Sequence, residues 1–456
     1  MGKKYDYDYI IIGSGPAGST SALQLAKTKK RIALVEGRFW GGTNLNTRDI
    51  PYAVALDFSH TYSKILSFPE LKNQDLSFNL PTVPAHELKT VIEAGGNNKA
   101  IFEEKGITCL KGYANFLDKH TIAIDEKKFT ADTFILATGS NLKISEISGT
   151  ETVEFLTPET AIKVHRLPKA VAVVGGGSSG CEIAEYFAEL GTKVILFETS
   201  DRILPREDKE VGDLLSEYFA QKLGITVLPG SKVTSLAQDD LSKSVIFLHE
   251  NSEKMVRVDC IVLATGSRPN LDYGLENAGV KYKNTGIVVD KNFLTSAKNI
   301  YAIGDSLGKE SSTERAYQEG FTLAMNIINK TKTPLDYKGF PRITKTFPEV
   351  ATVGFNEDDL LKRDRKYKKA IIKLSEITAS KINNFEYGFI KLLANKNNHI
   401  IGATIVAPNA ELMIPEISLA IRHDLSALEL ASTPHPINNY SYLIKLSAKK
   451  LLVQKK

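Results

Sequence analysis

Two stretches of this chain repeat one pattern: a β-branched run, glycines at the first, third and sixth of six residues, an apolar helical stretch, a second β-branched run and a glutamate. The first copy reads Tyr9-Ile10-Ile11-Ile12, then Gly13-Ser14-Gly15-Pro16-Ala17-Gly18. Ala22, Leu23, Leu25 and Ala26 follow at helical spacing, and Ile32-Ala33-Leu34-Val35 closes on Glu36. The second reads Ala170-Val171-Ala172-Val173-Val174, then Gly175-Gly176-Gly177-Ser178-Ser179-Gly180. Its helix carries Ile183, Ala184, Tyr186, Phe187 and Leu190, and Val194-Ile195-Leu196-Phe197 ends on Glu198. The last glycine of each turn and the acid, Gly18 to Glu36 and Gly180 to Glu198, are equally far apart in both. Strand, glycine turn, helix, strand and acid form the dinucleotide-binding unit. The glycines let the backbone turn tightly and approach a pyrophosphate, the helix N-terminus offers unpaired N–H donors, and the acid accepts from a ribose. Two copies with equal spacing predict two bound dinucleotides, and a chemistry that passes electrons between them.

The 456 residues suffice for about three domains. Hydrophobic content of 42% with 24% charged residues suits large buried cores. A net charge of +5, without a basic stripe interleaved with aromatics, gives nucleic acid binding no support. No uninterrupted apolar window reaches the ~18 residues of a spanning helix. Met1-Gly-Lys-Lys-Tyr-Asp-Tyr-Asp runs directly into a strand, leaving no room for a signal peptide. Cys109, Cys181 and Cys260 are far apart and in no metal spacing, so a cytoplasmic protein without a metal centre is expected.

A second duplication supports the first. Phe134-Ile135-Leu136-Ala137-Thr138-Gly139-Ser140 and Ile261-Val262-Leu263-Ala264-Thr265-Gly266-Ser267 are near-copies at corresponding places after the two units. Asn299-Ile300-Tyr301-Ala302-Ile303-Gly304-Asp305 then ends an apolar strand on Gly-Asp.

With these motifs almost the whole chain resembles the class I pyridine nucleotide–disulfide oxidoreductase family. The resemblance implies an α/β fold: an FAD-binding Rossmann-like domain (1–147), an NAD(P)-binding one (148–270), a central segment returning to the FAD domain (271–338) and a C-terminal α+β dimerisation domain (339–456). It implies FAD contacts at Gly13, Gly15, Pro16, Ala17, Gly18, Glu36, Gly42, Thr43, Ala114, Thr138, Gly139, Asp305 and Thr313. It implies nicotinamide nucleotide contacts at Gly175, Gly177, Gly180, Glu182, Glu198 and Gly266. A carboxylate at Glu198 pairs with ribose hydroxyls and repels a 2′-phosphate, which favours NAD over NADP; Arg202 and Arg206 just beyond would blur that preference if they faced the nucleotide.

The segment that carries the redox disulfide in this family departs from the pattern. The family reads Gly-Gly-Thr-Cys-Leu-Asn, two residues, then Cys-Ile-Pro-Ser-Lys. Here the stretch is Gly41-Gly42-Thr43-Asn44-Leu45-Asn46-Thr47-Arg48-Asp49-Ile50-Pro51-Tyr52-Ala53. Asn44 and Asp49 replace the cysteines and have no redox state to offer. Ala53 replaces the lysine that pairs with Glu182 in the family, so Glu182 must be protonated, hydrated or newly paired. Arg48 is one candidate partner for it, and Asp49 is the other candidate partner for Arg48. Cys181, at a helix start, has a dipole that lowers a thiol pKa, but helix–sheet packing is the expected role.

Thr346-Phe347-Pro348-Glu349-Val350-Ala351-Thr352-Val353-Gly354 resembles the opening of the family's dimerisation domain, which implies a homodimer. Lys391-Leu392-Leu393-Ala394 and Ile400-Ile401-Gly402-Ala403 read as strands, and Ala410-Glu411-Leu412-Met413-Ile414 as a helix start. Thr433-Pro434-His435-Pro436 keeps one histidine of the family's catalytic His-Pro segment, while Tyr440 stands in place of its carboxylate. Two readings of His435 stay open: a proton shuttle, or a packed interface residue. The tail, Leu443 to Lys456, is basic and apolar; a packed helix is expected over contact with a membrane surface, because Lys450 and Lys455 interrupt its apolar side.

Asn44, Asp49, Glu182 and His435 are therefore the candidate catalytic positions. The expected activity passes electrons from NADH through FAD to a non-disulfide small molecule such as a quinone. A soluble pyridine nucleotide transhydrogenase and a degenerate flavin-binding sensor are the alternatives.

Overall fold

The computed structural model describes residues 5–68, 77–144, 147–308 and 312–453. They form two compact units, one of residues 1–55, 81–143 and 266–336, the other of residues 56–80, 144–265 and 337–456.

In the first unit, β1 (Tyr7–Ile12), α1 (Pro16–Leu25) and β2 (Ile32–Glu36) reproduce the expected strand–turn–helix–strand. A seven-stranded sheet runs Thr108–Lys111, β2, β1, Lys127–Leu136, Thr121–Ile124 and Ala114–Asp118, with Ile300–Ala302 also pairing Lys127–Leu136. β1 pairs in parallel with β2 and with Lys127–Leu136, so its central residues are covered on both faces. That is why Ile10, Ile11 and Ile12 form an unbroken apolar run instead of an alternation, and all three are buried. Pro16 opens α1, where its missing N–H costs nothing. The redox-segment position is split between α2 (Gly42–Asn46) and the start of α3 (Asp49–Ser67).

The second unit repeats the motif as β3 (Ala170–Val174), α4 (Ser178–Glu189) and β4 (Lys193–Phe197), within a four-stranded parallel sheet ordered Thr226–Leu228, β4, β3, Cys260–Leu263. A five-stranded sheet follows, ordered Pro341–Thr344, Glu349–Gly354, Ile400–Ala407, Phe389–Ala394 and Lys368–Lys373. α5 (Ala410–Arg422) and α6 (Tyr442–Val453) add their apolar sides to its core. Leu443, Ile444, Ala448 and Leu451 are buried there, and Lys450 Nζ donates to the Ile371 carbonyl at 2.8 Å. The apolar stripe of the tail is thus used inside its own unit; Gln454, Lys455 and Lys456 lie outside the described residues. No helix among the described residues is long and apolar enough to cross a membrane.

The strand Phe389–Ala394 is buried at every residue, including Lys391. Lys391 Nζ lies 2.8 Å from Asp208 Oδ2, 3.0 Å from Glu210 Oε2 and 2.7 Å from Glu357 Oε2. A buried ammonium is tolerable only when paired and hydrogen-bonded. These carboxylates supply that pairing, and they tie the strand to the helices Lys209–Lys222 and Glu357–Lys362.

Candidate active site

The two nucleotide cradles match in detail. Glu36 Oε2 accepts from the Ser14 N–H (3.0 Å) and hydroxyl (2.6 Å), and its Oε1 accepts from the Arg38 N–H (2.7 Å). Glu198 Oε2 accepts from the Gly176 N–H (2.8 Å), and its Oε1 from the Ser200 N–H (2.7 Å). Each acid is held by backbone donors from its glycine turn and from the residue two beyond itself. A carboxylate has about four lone-pair sites, so both keep capacity for ribose hydroxyls.

The glycine turns are closed at their first and third glycines and open in the middle. A Cβ on Gly13 would stand 2.2 Å from the Ala137 oxygen, and one on Gly175 2.4 Å from the Ala264 oxygen. On Gly18 and Gly180 it would meet the first glycine's carbonyl at 1.9 and 1.8 Å, whereas Gly15 and Gly177 have nothing within 4 Å. No side chain caps α1 or α4 at those open glycines. Exposed donors beside open space are what a pyrophosphate requires. Gly139 and Gly266, which end the duplicated Ala-Thr-Gly-Ser segments, share a positive φ and open surroundings.

Around the first cradle, Gly42 packs so closely that a Cβ would lie 2.5 Å from Gly15 Cα, and the Gly41 N–H donates to Ser14 Oγ at 3.0 Å. Thr43 follows on α2. Ala114 is buried at the start of its strand. Thr138 Oγ1 donates to the Asn270 carbonyl at 3.2 Å, and Asp305 Oδ2 accepts from Ser140 Oγ at 3.0 Å. Pro16 and Ala17 form the first turn of α1.

The two former cysteine positions are in contact. Asn44 Nδ2 donates to Asp49 Oδ2, and Thr313 Oγ1 donates to the same oxygen. Asn44 Nδ2 also lies 2.9 Å from Thr313 Oγ1, which closes a three-membered polar cluster at the head of the helix Thr313–Asn329. Arg48 is the partner the sequence suggested for Asp49; the structure gives it Asn44 and Thr313 instead.

Glu182 is newly paired: its Oε1 accepts from the Lys345 backbone N–H at 2.8 Å. Arg202 is committed to Asp358 (2.9 Å) and Asp201 (3.2 Å). Burial pushes the thiols of Cys109 and Cys260 up to about 11 and that of Cys181 well above its ordinary value, overriding the helix dipole at Cys181. Cys181 is fully buried, with its sulfur 3.4 Å from the Gly176 carbonyl, which is the packing role expected of it.

His435 has a carboxylate after all. Tyr440 is buried in the C-terminal core, but Glu416 on α5 lies 3.1 Å from His435 Nε2, and Nδ1 faces the Thr433 carbonyl at 3.0 Å. Both ring nitrogens are bonded within its own chain. Nothing in the sequence pointed to Glu416, which sits nineteen residues away on another element.

Two nucleotide cradles in one chain, with a modified segment beside the first, define a flavoprotein reductase scaffold. Residues 7–320 match the pyridine nucleotide-disulphide oxidoreductase family and residues 340–443 match its dimerisation domain. The chain belongs to this family, whose members use FAD and NAD(P)H. It is similar to the mercuric reductase of Staphylococcus aureus, 29% identical over 450 residues that cover 97% of this chain and 82% of that protein. It is 28% identical to the dihydrolipoyl dehydrogenase of Bacillus subtilis (strain 168) over 438 residues, covering 94% and 93%. Among solved structures, the HOCl-induced flavoprotein disulfide reductase RclA from Escherichia coli aligns with a TM-score of 0.87 at 22% identity, over 98% of this chain and 100% of that one. LpdA from Mycobacterium tuberculosis aligns with the same TM-score and identity over 97% and 99%.

Proposed function

We propose that this protein is an FAD-dependent NADH:acceptor oxidoreductase whose acceptor is a non-disulfide small molecule, with a quinone as the leading class. The observation that carries this reading is the Asn44–Asp49–Thr313 cluster, which fills the disulfide position with amide, carboxylate and hydroxyl. Losing a general acid or base slows a reaction by roughly 10²–10⁴; losing both sulfurs removes dithiol exchange altogether. FAD, when bound, takes two electrons from the nicotinamide and delivers them to a second acceptor. The chain's own part is to hold the two nucleotides and to shape the acceptor's surroundings.

Glu36, Gly13, Gly15, Gly18, Thr138, Gly139 and Asp305 would hold FAD; Glu198, Gly175, Gly177, Gly180 and Gly266 would hold the nicotinamide nucleotide. Glu198 places a carboxylate where a 2′-phosphate would be repelled, and Arg202 is bound to carboxylates, so NADH is the expected donor. Asn44, Arg48, Asp49 and Tyr52 are the candidate acceptor lining, and the dimerisation domain supports a homodimer. Three free cysteines suit a reducing cytoplasm.

One observation favours a second reading. Since both nitrogens of His435 are already bonded, a proton-independent acceptor, another nicotinamide nucleotide, would need nothing from it. Anaerobic reduction by NADH and by NADPH, followed by menadione, lipoamide and a nicotinamide analogue as acceptors, separates the readings. Turnover with NADH and menadione but not lipoamide is expected, and efficient lipoamide reduction contradicts the proposal.

A further inference from the structure

Away from the nucleotide cradles, α3 and α4 bring together three titratable side chains that the proposed function does not use. His60 Nε2 lies 3.4 Å from Glu185 Oε2 and 3.7 Å from Glu189 Oε2. Glu185 and Glu189 are one helical turn apart on α4 and so project from the same face. Their side chains are 0% and 2% exposed. His60 Nε2, Glu185 Oε1 and Glu189 Oε2 are buried atoms with no hydrogen-bond partner. No lysine or arginine ion-pairs with either glutamate among the described residues. Buried carboxylates that each keep an unpartnered oxygen beside an imidazole are expensive to leave as they stand.

The geometry points to a binding site for a divalent first-row transition cation, of the Zn²⁺ class, with His60, Glu185 and Glu189 as protein ligands. One ligand atom from each residue lies within 4.8 Å of the others. Tetrahedral ligands at about 2.0–2.2 Å from a metal stand roughly 3.4 Å from one another; the two distances from His60 Nε2, 3.4 and 3.7 Å, are close to that spacing. Imidazole with two carboxylates suits Zn²⁺, Mn²⁺, Fe²⁺ or Co²⁺ and disfavours the soft Cu⁺. The fourth position falls to water.

The surroundings are those of a supported site. The Phe347 N–H donates to Glu185 Oε2 at 2.8 Å, Ser59 and Ser63 hydrogen-bond to Glu189, and the Phe347 ring stands 6.0 Å from the imidazole. Such partners orient ligands and exclude solvent. Tyr218, Glu349, Cys181 and Glu182 are further ionisable groups that sense the cluster. A bound cation would clamp α3 to α4, and α3 is the helix that begins at Asp49.

The test uses the full-length FAD-loaded dimer, stripped with a chelator and dialysed against Zn²⁺. Wild type is expected to retain one Zn²⁺ per chain, and His60→Ala and Glu189→Gln to bind at least about tenfold more weakly while keeping their flavin. Binding that is absent in wild type, or unchanged in both variants, overturns the site. Co²⁺ substitution in wild type supplies a readout that needs no variant. Intense visible ligand-field absorption is expected, and a spectrum like that of aqueous Co²⁺ overturns the proposal.

Discussion

Asn44 and Asp49 stand where the family places its two redox cysteines, and they are joined to each other by an amide–carboxylate hydrogen bond that Thr313 shares. The covalent, reducible link between these positions is replaced by a polar, redox-silent one. Ala53 stands where the family has its lysine, and Glu182 Oε1 accepts from the Lys345 backbone N–H.

Asp49→Ala leaves Thr313 and Asn44 without their shared acceptor. Reduction of bound flavin by NADH is expected to change less than about twofold, because the nucleotide cradles are untouched, while acceptor KM shifts by roughly tenfold or more for loss of a charge-assisted hydrogen bond. Stopped-flow reduction and steady-state acceptor kinetics measure the two halves separately.

Glu198→Ala removes the carboxylate that receives the Gly176 and Ser200 N–H groups and that is proposed to bind the ribose. Hydrogen bonds to a charged group contribute about 1.5–3 kcal/mol, so the KM for NADH should rise by about tenfold or more. The ratio of NADPH to NADH efficiency should rise with it, which initial-rate kinetics with both nucleotides will show.

His435→Ala gives a direct reading of the histidine. A proton shuttle would lose roughly 10²–10⁴ in kcat. Because Glu416 and the Thr433 carbonyl hold both ring nitrogens, the expected loss with menadione is below about tenfold. Glu416→Gln should behave alike.

Lys391→Met leaves three carboxylates around an empty centre and should destabilise the C-terminal unit by about 3–5 kcal/mol in denaturant unfolding. The same cluster sets a pH dependence. Lys391, Tyr367 and Lys369 hold the Glu357 carboxyl down at about 2 against the opposing effect of burial. A depressed carboxyl stabilises the fold above its ordinary pKa, near 4.5, and that contribution is lost as pH falls towards 2. Lys391 is raised to about 12, since the carboxylates outweigh its burial, so its contribution persists through alkaline pH and fades only as pH nears that value. Asp208, raised by burial, works in the opposite sense to Glu357 and blunts the acid loss. Unfolding midpoints between about pH 2 and 7 should fall on the acid side, and less steeply in Glu357→Gln.

The parallel strands, both glycine turns and the terminal acids were legible because strong local rules write them: buried runs of β-branched residues, glycines where a Cβ would strike a carbonyl, an acid at a strand end. The details that decide the chemistry were not local. The Asn44–Asp49–Thr313 cluster needs a residue more than 260 positions away. Glu416 reaches His435 from a different element, and Lys391 reads as an ordinary strand lysine until its three carboxylates converge from two other helices. His60, Glu185 and Glu189 share no motif spacing, since α3 and α4 are separated by more than a hundred residues.

The most direct test of the central claim is the electron capacity of the protein. Anaerobic titration with NADH should bleach the flavin fully at one equivalent per FAD, with no long-wavelength thiolate charge-transfer band at any stage, because the proposed chemistry leaves FAD as the sole two-electron centre. Uptake of two equivalents per FAD, or such a band at the first, would show a working dithiol and contradict the account.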